Sequence, residues 1–209
     1  MNILAIITAR KGSKRLKKKN IKILGKKPLI NWTIDFAKNI NLFDDILVTT
    51  DDVEILNIAK KKNIIAPWLR PKKLSTDKAS SYSAVIHALR WYEKNKKRID
   101  CICLLQPTSP FRSKKNLNDA FKIFKQTKKS VISVMKKKVK NPLSKKKYEN
   151  KQFNIFMPSG SFFLISPKEL KLFKNFINHN NYLYLINNPK ENIDINDLSD
   201  WKLAKSYIN

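Results

Sequence analysis

The chain has 209 residues, 42% of them hydrophobic and 29% charged, a length and balance that suit one folded domain and exclude a disordered tail. A compact chain of this size buries roughly 70% of its unfolded surface, so its core needs neither disulfides nor a structural metal. The formal net charge is +28, but only six of the 44 basic residues are Arg and the other 38 are Lys. Readers of nucleic acid lean on the bidentate guanidinium, so no nucleic-acid partner is expected. The Lys excess travels with many Asn and Ile and only three Gly, a joint bias that A/T-rich coding would produce.

The opening run Met1-Asn2-Ile3-Leu4-Ala5-Ile6-Ile7 lacks a basic leader, and no apolar stretch approaches the ~20 residues of a membrane span. A cytoplasmic protein without a membrane partner is expected. Ile3–Thr8 is apolar on both faces, as a central parallel strand requires. Helical spacing follows at Leu29–Lys38, a strand at Ile46–Thr50, and a helix at Val53–Lys61 that Asp51 or Asp52 can cap. Tyr82, Val85, Ile86, Leu89 and Tyr92 form the stripe of a helix laid on a sheet, with Asp77 and Ser80 available as caps. Cys101–Leu105 predicts a strand whose two cysteines share one face, as small buried hydrophobes of a reducing compartment. A helix at Leu117–Lys125, strands at Val131–Met135, Ser161–Ile165 and Tyr182–Ile186, and a helix at Leu198–Tyr207 capped by Asp197 with Asp200 complete the series. Lys136–Lys151 is the one shift in composition and reads as a β-arm leaving the sheet. Strand and helix alternating at this spacing predict a three-layer α/β sandwich around a mostly parallel, Rossmann-like sheet.

Ligands of open α/β sheets sit beyond the C-terminal strand ends. That rule singles out Thr8-Ala9-Arg10-Lys11-Gly12-Ser13-Lys14-Arg15-Leu16-Lys17-Lys18-Lys19-Asn20, which follows the first strand. Gly12 suits a tight turn whose N–H groups approach an anion, and cationic side chains with the Ser13 hydroxyl surround it, which is equipment for a polyphosphate. The G-x-x-x-x-G-K-[ST] pattern of a Walker loop is absent, and two glycines of the dinucleotide fingerprint are missing. Gly25 and Gly160 fall where the chain is expected to turn next to strands. His87 and His179 have no convincing catalytic partner.

The run Ile7-Thr8-Ala9-Arg10-Lys11-Gly12-Ser13-Lys14-Arg15, then Lys19-Asn20 and Gly25-Lys26-Lys27-Pro28-Leu29-Ile30, resembles the opening of the acylneuraminate cytidylyltransferases. These are the CMP-sialic acid synthetases and their legionaminic and pseudaminic acid relatives. Later segments match in order. Val48-Thr49-Thr50-Asp51-Asp52 resembles the family's S-T-D-D, and Leu69-Arg70-Pro71 with Leu74-Ser75-Thr76-Asp77 its R-P-x-x-L-x-x-D. Leu105-Gln106-Pro107-Thr108-Ser109-Pro110-Phe111-Arg112 resembles its L-Q-P-T-S-P-L-R, and Asp194-Ile195-Asn196 with Asp200 its D-I-D…D.

The resemblance covers nearly the whole chain and implies a fold of the nucleotide-diphospho-sugar transferase type. It implies one cytidylyltransferase domain over residues 1–209, with 136–160 as a reduced arm for dimerisation and the sugar site. The implied reaction is attack by the anomeric hydroxyl of a nonulosonic, sialic acid-like sugar acid on the α-phosphate of CTP. Pyrophosphate leaves, with Mg2+ (or Mn2+) bridging carboxylate and phosphate oxygens, and the CMP-sugar feeds lipopolysaccharide, capsule or flagellin glycans. By the same resemblance Arg10, Lys19 and Asp194 are catalytic, and Ala9, Arg10, Gly12, Ser13, Asn20, Arg70 and Asp77 bind the nucleotide. Gln106, Thr108, Ser109, Gln152, Ser159 and Phe162 bind the sugar acid, and Asp194 with Asn196 holds the metal.

The family pattern is broken in places. Its D-I-D reads Asp194-Ile195-Asn196, so one carboxylate becomes an amide and the cation should be held less tightly. Its N-G-x-x-Y appears as Ser159-Gly160-Ser161-Phe162-Phe163. The stretch Pro142–Ser159 is short and lacks the expected Arg, leaving Lys145, Lys146, Lys147, Lys151 and Gln152. Nucleotide handling is therefore expected to be intact, sugar recognition altered, and a homodimer weakened by the shortened arm. Two alternatives stay open. One is transfer to another keto sugar acid, of eight carbons. The other is a non-catalytic polyanion or nucleic-acid binder, which Asn196 and the short arm favour and the complete first loop opposes.

Overall fold

The structure, a computed structural model, describes residues 1–140 and 152–208. In chain order its elements are β1 (Ile3–Ala9), the two-residue strands β2 (Ile23–Leu24) and β3 (Lys27–Pro28), α1 (Leu29–Asn39), β4 (Asp45–Thr50), α2 (Val53–Lys61) and α3 (Ser81–Asn95). There follow β5 (Cys101–Leu105), α4 (Lys114–Thr127), β6 (Val131–Lys140), β7 (Gln152–Ile165), α5 (Pro167–Phe173), β8 (Tyr182–Leu185) and α6 (Leu198–Ser206). The main sheet runs β4-β1-β5-β7-β6-β8. All its neighbours are parallel except at β7, which is antiparallel to both β5 and β6. The mostly parallel three-layer sandwich expected from the sequence is the observed architecture.

Strand alternation divides the core between the two faces. Ile3, Ala5, Ile7 and Ala9 of β1 share one cluster with Ile30 and Ile34 of α1, Ile55 of α2, and Leu117 and Phe124 of α4. Leu4 and Ile6 join Val85, Leu89 and Tyr92 of α3 on the other face. Cys101 and Cys103 lie together on the first face, buried and unbridged, and burial pushes both thiols up. Fixed caps set the helix starts. Asp52 accepts from the Glu54 N–H, Ser80 from Ser83, and Asp197 with Asp200 makes a reciprocal capping box on α6. Asp77 caps nothing, contrary to one expectation; its carboxylate turns to Arg10 and Lys14. No helix among the described residues is long and apolar enough to cross a membrane.

The second half departs most from the sequence reading. β7 extends back from Ser161 to Gln152, and Lys136–Lys140 pairs with it as far as Lys140 opposite Gln152. The β-arm is thus a two-stranded ribbon where it is described. Lys145, Lys146, Lys147 and Lys151, and the side chain of Gln152, lie outside the described residues. Gly160 was expected to precede a strand but sits within β7, at an irregularity where the register with β6 shifts between Ile132 and Val134. Such a bulge bends a strand without ending it, and Gly160 accommodates it at φ +77°. The Ser133 hydroxyl bridges the gap, donating to the Phe162 carbonyl at 2.9 Å and accepting from its N–H at 3.0 Å. Helix α5, absent from the sequence reading, begins at Ser166-Pro167 with Ser166 capping the Glu169 N–H.

Candidate active site

A cleft of about 190 Å³ lies beyond the C-terminal ends of β1 and β5, bordered by Arg10, Ser13, Lys19, Asn20, Arg70, Gln106 and Thr108. Its floor is set by the register Ala9 beside Thr50 and Ile7 beside Leu105, which brings three strand ends to one rim. An adjoining hollow of about 300 Å³ holds Arg10, Ser13, Lys14, Arg15, Lys19, Asp77 and Asn196.

The loop after β1 is tied at several points. The Asn20 amide donates to the Arg10 carbonyl at 3.0 Å, and the Lys11 N–H donates to Asp51 at 2.9 Å. Asp51 also lies 3.7 Å from the buried Arg70 guanidinium, whose Nε donates to Ser75 and whose Nη2 reaches the Ala9 carbonyl. Burial lowers the Arg70 pKa, an effect that Asp51 partly offsets. Lys19 sits in a short 3-10 turn and donates to the Ile195 carbonyl at 2.7 Å. Its ammonium is held below its ordinary pKa by burial, opposed by the nearby Asp194 charge. A Cβ at Gly12 would meet nothing within 4 Å, and its φ is not left-handed, so the loop's own fold does not demand glycine there.

Behind Gln106 of the rim loop, Gly160 lets polar groups converge. A Cβ at that position would lie 2.7 Å from Ser109 Oγ, 2.9 Å from Gln106 Oε1 and 3.7 Å from Asp194 Oδ1. Ser109 is fully buried and donates to the Ser159 carbonyl at 3.2 Å. The Thr108 carbonyl accepts from the Ile195 N–H at 2.8 Å, which docks the Asp194-Ile195-Asn196 segment on the loop after β5. Phe162 is not at the cleft. Its ring is fully buried against Tyr184 in the core shared with α1 and α4, because the bulge fixes which of the two adjacent phenylalanines faces inward there. Ser159 is also fully buried, behind Ser109, and its hydroxyl accepts from the Ser161 N–H.

Asp194 offers a test for a divalent cation. One carboxylate oxygen accepts from the Asn196 amide at 2.8 Å; the other, Oδ1, is buried with no hydrogen-bond partner. Among the described residues no three His, Cys, Asp or Glu side chains gather into a metal group. The unpartnered Asp194 oxygen nevertheless suits Mg2+, which takes one or two protein ligands and completes its shell with water and phosphate; the Asn196 carbonyl, which accepts from Arg15 at 3.4 Å, would join it by turning from that guanidinium.

Arg112 and Gly160 have roles here that go beyond what their places in the sequence imply. Arg112 donates to the Ser161 carbonyl, to Thr33 Oγ1 of α1 and to the Gln106 carbonyl, so one buried guanidinium joins β7, α1 and the rim loop. Its rarity in an Arg-poor chain was the available signal. Gly160 was noted as a turn glycine, and its contacts come from strand pairing that sequence spacing does not reveal.

A family model described as Cytidylyltransferase matches residues 4–180. The chain is 34% identical to the CMP-N,N'-diacetyllegionaminic acid synthase of Legionella pneumophila, across all of this chain and 97% of that protein. It is 32% identical to an N-acylneuraminate cytidylyltransferase of Escherichia coli, over 97% of this chain and 51% of that longer protein. With a pseudaminic acid cytidylyltransferase of Campylobacter jejuni it shares 36% identity over 75% of this chain and 67% of that protein. Two solved structures share its fold. CMP:2-keto-3-deoxy-manno-octonic acid synthetase complexed with CTP gives a TM-score of 0.70 at 13% identity, covering 100% of this chain and 98% of that one. The 4-diphosphocytidyl-2C-methyl-D-erythritol synthase of Anaerococcus prevotii gives 0.72 at 16% identity, covering 99% and 96%.

Proposed function

We propose, from the premise that this chain belongs to the cytidylyltransferase family, that it transfers CMP from CTP to the anomeric hydroxyl of a nonulosonic sugar acid in the cytoplasm. The bond from the acceptor oxygen to the α-phosphorus forms as the bond to the departing pyrophosphate breaks. The observation that carries the reading is the meeting of two chemistries in one cleft. The cationic loop after β1 and the Gln106 amide with Thr108 of the rim loop border the same cleft, and Ser109 and Asp194 gather around Gly160 behind Gln106.

Charge on the phosphates builds in the transition state, so positioning and electrostatics do most of the work. Arg10 can fork onto phosphate oxygens, while Lys19, partly desolvated, places a point charge whose interactions are strengthened by that burial. Ser13 and Asn20 hold the loop side of the nucleotide, with Arg70 beside them. Gln106 and Thr108 orient the acceptor, and buried Ser109, donating to the Ser159 carbonyl, fixes the rim loop behind them. Asp194 and Asn196 would hold a divalent cation, which when bound supplies charge neutralisation at the phosphates. The reading includes a single domain over residues 1–209 and a homodimer through the ribbon of β6 and β7, where Ile155 and Phe156 stand exposed.

The test is pyrophosphate release with Mg2+, pairing each of the four nucleoside triphosphates with nine- and eight-carbon keto sugar acids. Release with CTP and a nine-carbon acid is expected. Release only with an eight-carbon acid would change the acceptor, and no release from any pair would overturn the reading. Asn196→Asp adds a carboxylate to the proposed cation site and should lower the Mg2+ concentration for half-maximal rate roughly threefold or more. An unchanged requirement would remove position 196 from that site.

A further inference from the structure

Asp77 is the one acid among the residues bordering the cationic hollow beside the cleft. Its carboxylate spans two cations of the loop after β1, pairing with Arg10 through Oδ1 and lying 2.6 Å from Lys14 Nζ through Oδ2. Two oxygens bridging a guanidinium and an ammonium reproduce the contacts that a phosphate group would make there. The pairing is exposed to water, with about two-fifths of the Arg10 and Asp77 side chains accessible, so a multiply charged anion can displace it. Lys14 and Arg10 hold the Asp77 carboxyl below its usual range, which keeps it ionised at neutral pH. The segment around Asp77 is fixed at both ends, by Arg70 donating to Ser75 and by Ser80 capping α3, and Thr76, Ala79 and Ser80 border the cleft.

We propose that Asp77 is an internal competitor for the pyrophosphoryl group, taking back Arg10 and Lys14 as pyrophosphate leaves and shielding them from stray anions at other times. The role rests on the cytidylyltransferase reading, in which these cations face the phosphates beyond the α-position. It also resolves a difficulty of charge. In a chain of net charge +28, four cations around one hollow would otherwise retain any polyanion, including the product. Asp77 weakens that retention locally, while CTP keeps its additional contacts through base and ribose.

The experiment is calorimetric titration of wild type, Asp77→Asn and a charge-matched control, Asp119→Asn, with pyrophosphate, CMP and CTP at fixed ionic strength. Asp119 pairs with Lys115 and Lys122 on α4, away from the cleft. Asp77→Asn should bind pyrophosphate roughly threefold to tenfold more tightly, the combined scale of its two exposed ion pairs, and pyrophosphate should become a stronger product inhibitor. CMP, which lacks the outer phosphates, should change by less than about twofold, and the control should change nothing. Unchanged or weaker pyrophosphate binding in Asp77→Asn would overturn the proposal. Equal tightening for CMP, or the same gain in the control, would do so too, by reducing the effect to net charge. Wild type failing to bind CTP would strike the cytidylyltransferase reading itself. CTP binding with pyrophosphate affinity indifferent to Asp77 would strike only the competitor role.

Discussion

Arg10→Ala should lower turnover by roughly 10²-fold or more, the scale of removing one preorganised donor from a site of developing charge. The side chain stands at the end of β1, two-fifths exposed, and its backbone carbonyl is held by Asn20, so the fold should survive its loss. Thermal unfolding should therefore match wild type while pyrophosphate release collapses. Arg10→Lys should recover only part of the rate, because an ammonium keeps the charge and loses the planar fork. Asp77 would keep Lys14 as its partner in either variant, so the defect should not be mistaken for a released carboxylate. Wild-type turnover in Arg10→Ala would remove this residue from the reaction.

Gly160→Ala should damage both stability and rate. At φ +77° an L-residue costs roughly 1–2 kcal/mol, and the new methyl would enter within 3 Å of Ser109 Oγ and Gln106 Oε1. Ser109 is fully buried and cannot swing to solvent, so the rim loop or the β7 bulge must shift. For a chain of this length the strain alone should lower Tm by roughly 2–8 °C. Displacing acceptor-side groups by the better part of an ångström should cost roughly 10²-fold in turnover. Gly12→Ala is the natural comparison, since its methyl meets open space and should leave Tm unchanged. Retained activity in Gly160→Ala despite a lowered Tm would show that the placement of Gln106 and Ser109 is unimportant to the chemistry.

What could be read from the sequence follows what each signal measures. β1, β4 and β5 emerge within a residue of expectation because they are short apolar runs bounded by polar turns, and α1 and α2 because their stripes face a sheet. The loop residues Arg10, Ser13, Lys19 and Asn20 do meet at one cleft with Arg70 and Gln106, since strand ends at one rim follow from the βαβ pattern. The second half resisted. Lysine-rich Lys136–Lys140 carries no apolar alternation, so composition alone suggests a β-arm there, and its register comes only from pairing with β7. Phe162 and Phe163 look alike in sequence, and only the bulge at Gly160 decides which ring enters which core. The buried role of Arg112 was hidden because arginine is ordinarily a surface residue, and its three acceptors come from segments far apart in the chain.

The ribbon has an evolutionary consequence. β5 pairs only with Phe163, Leu164 and Ile165 of β7, so the pairs from Lys136 opposite Phe156 to Lys140 opposite Gln152 overhang the sheet and carry no share of its central pairing. Descendants of such a fold can lengthen, trim or exchange this overhang while the sheet around β1 and β5 stays as it is, because each doubling of a connection costs only about 0.6 kcal/mol in closure entropy. The overhang can thus change without disturbing the strand ends that border the cleft.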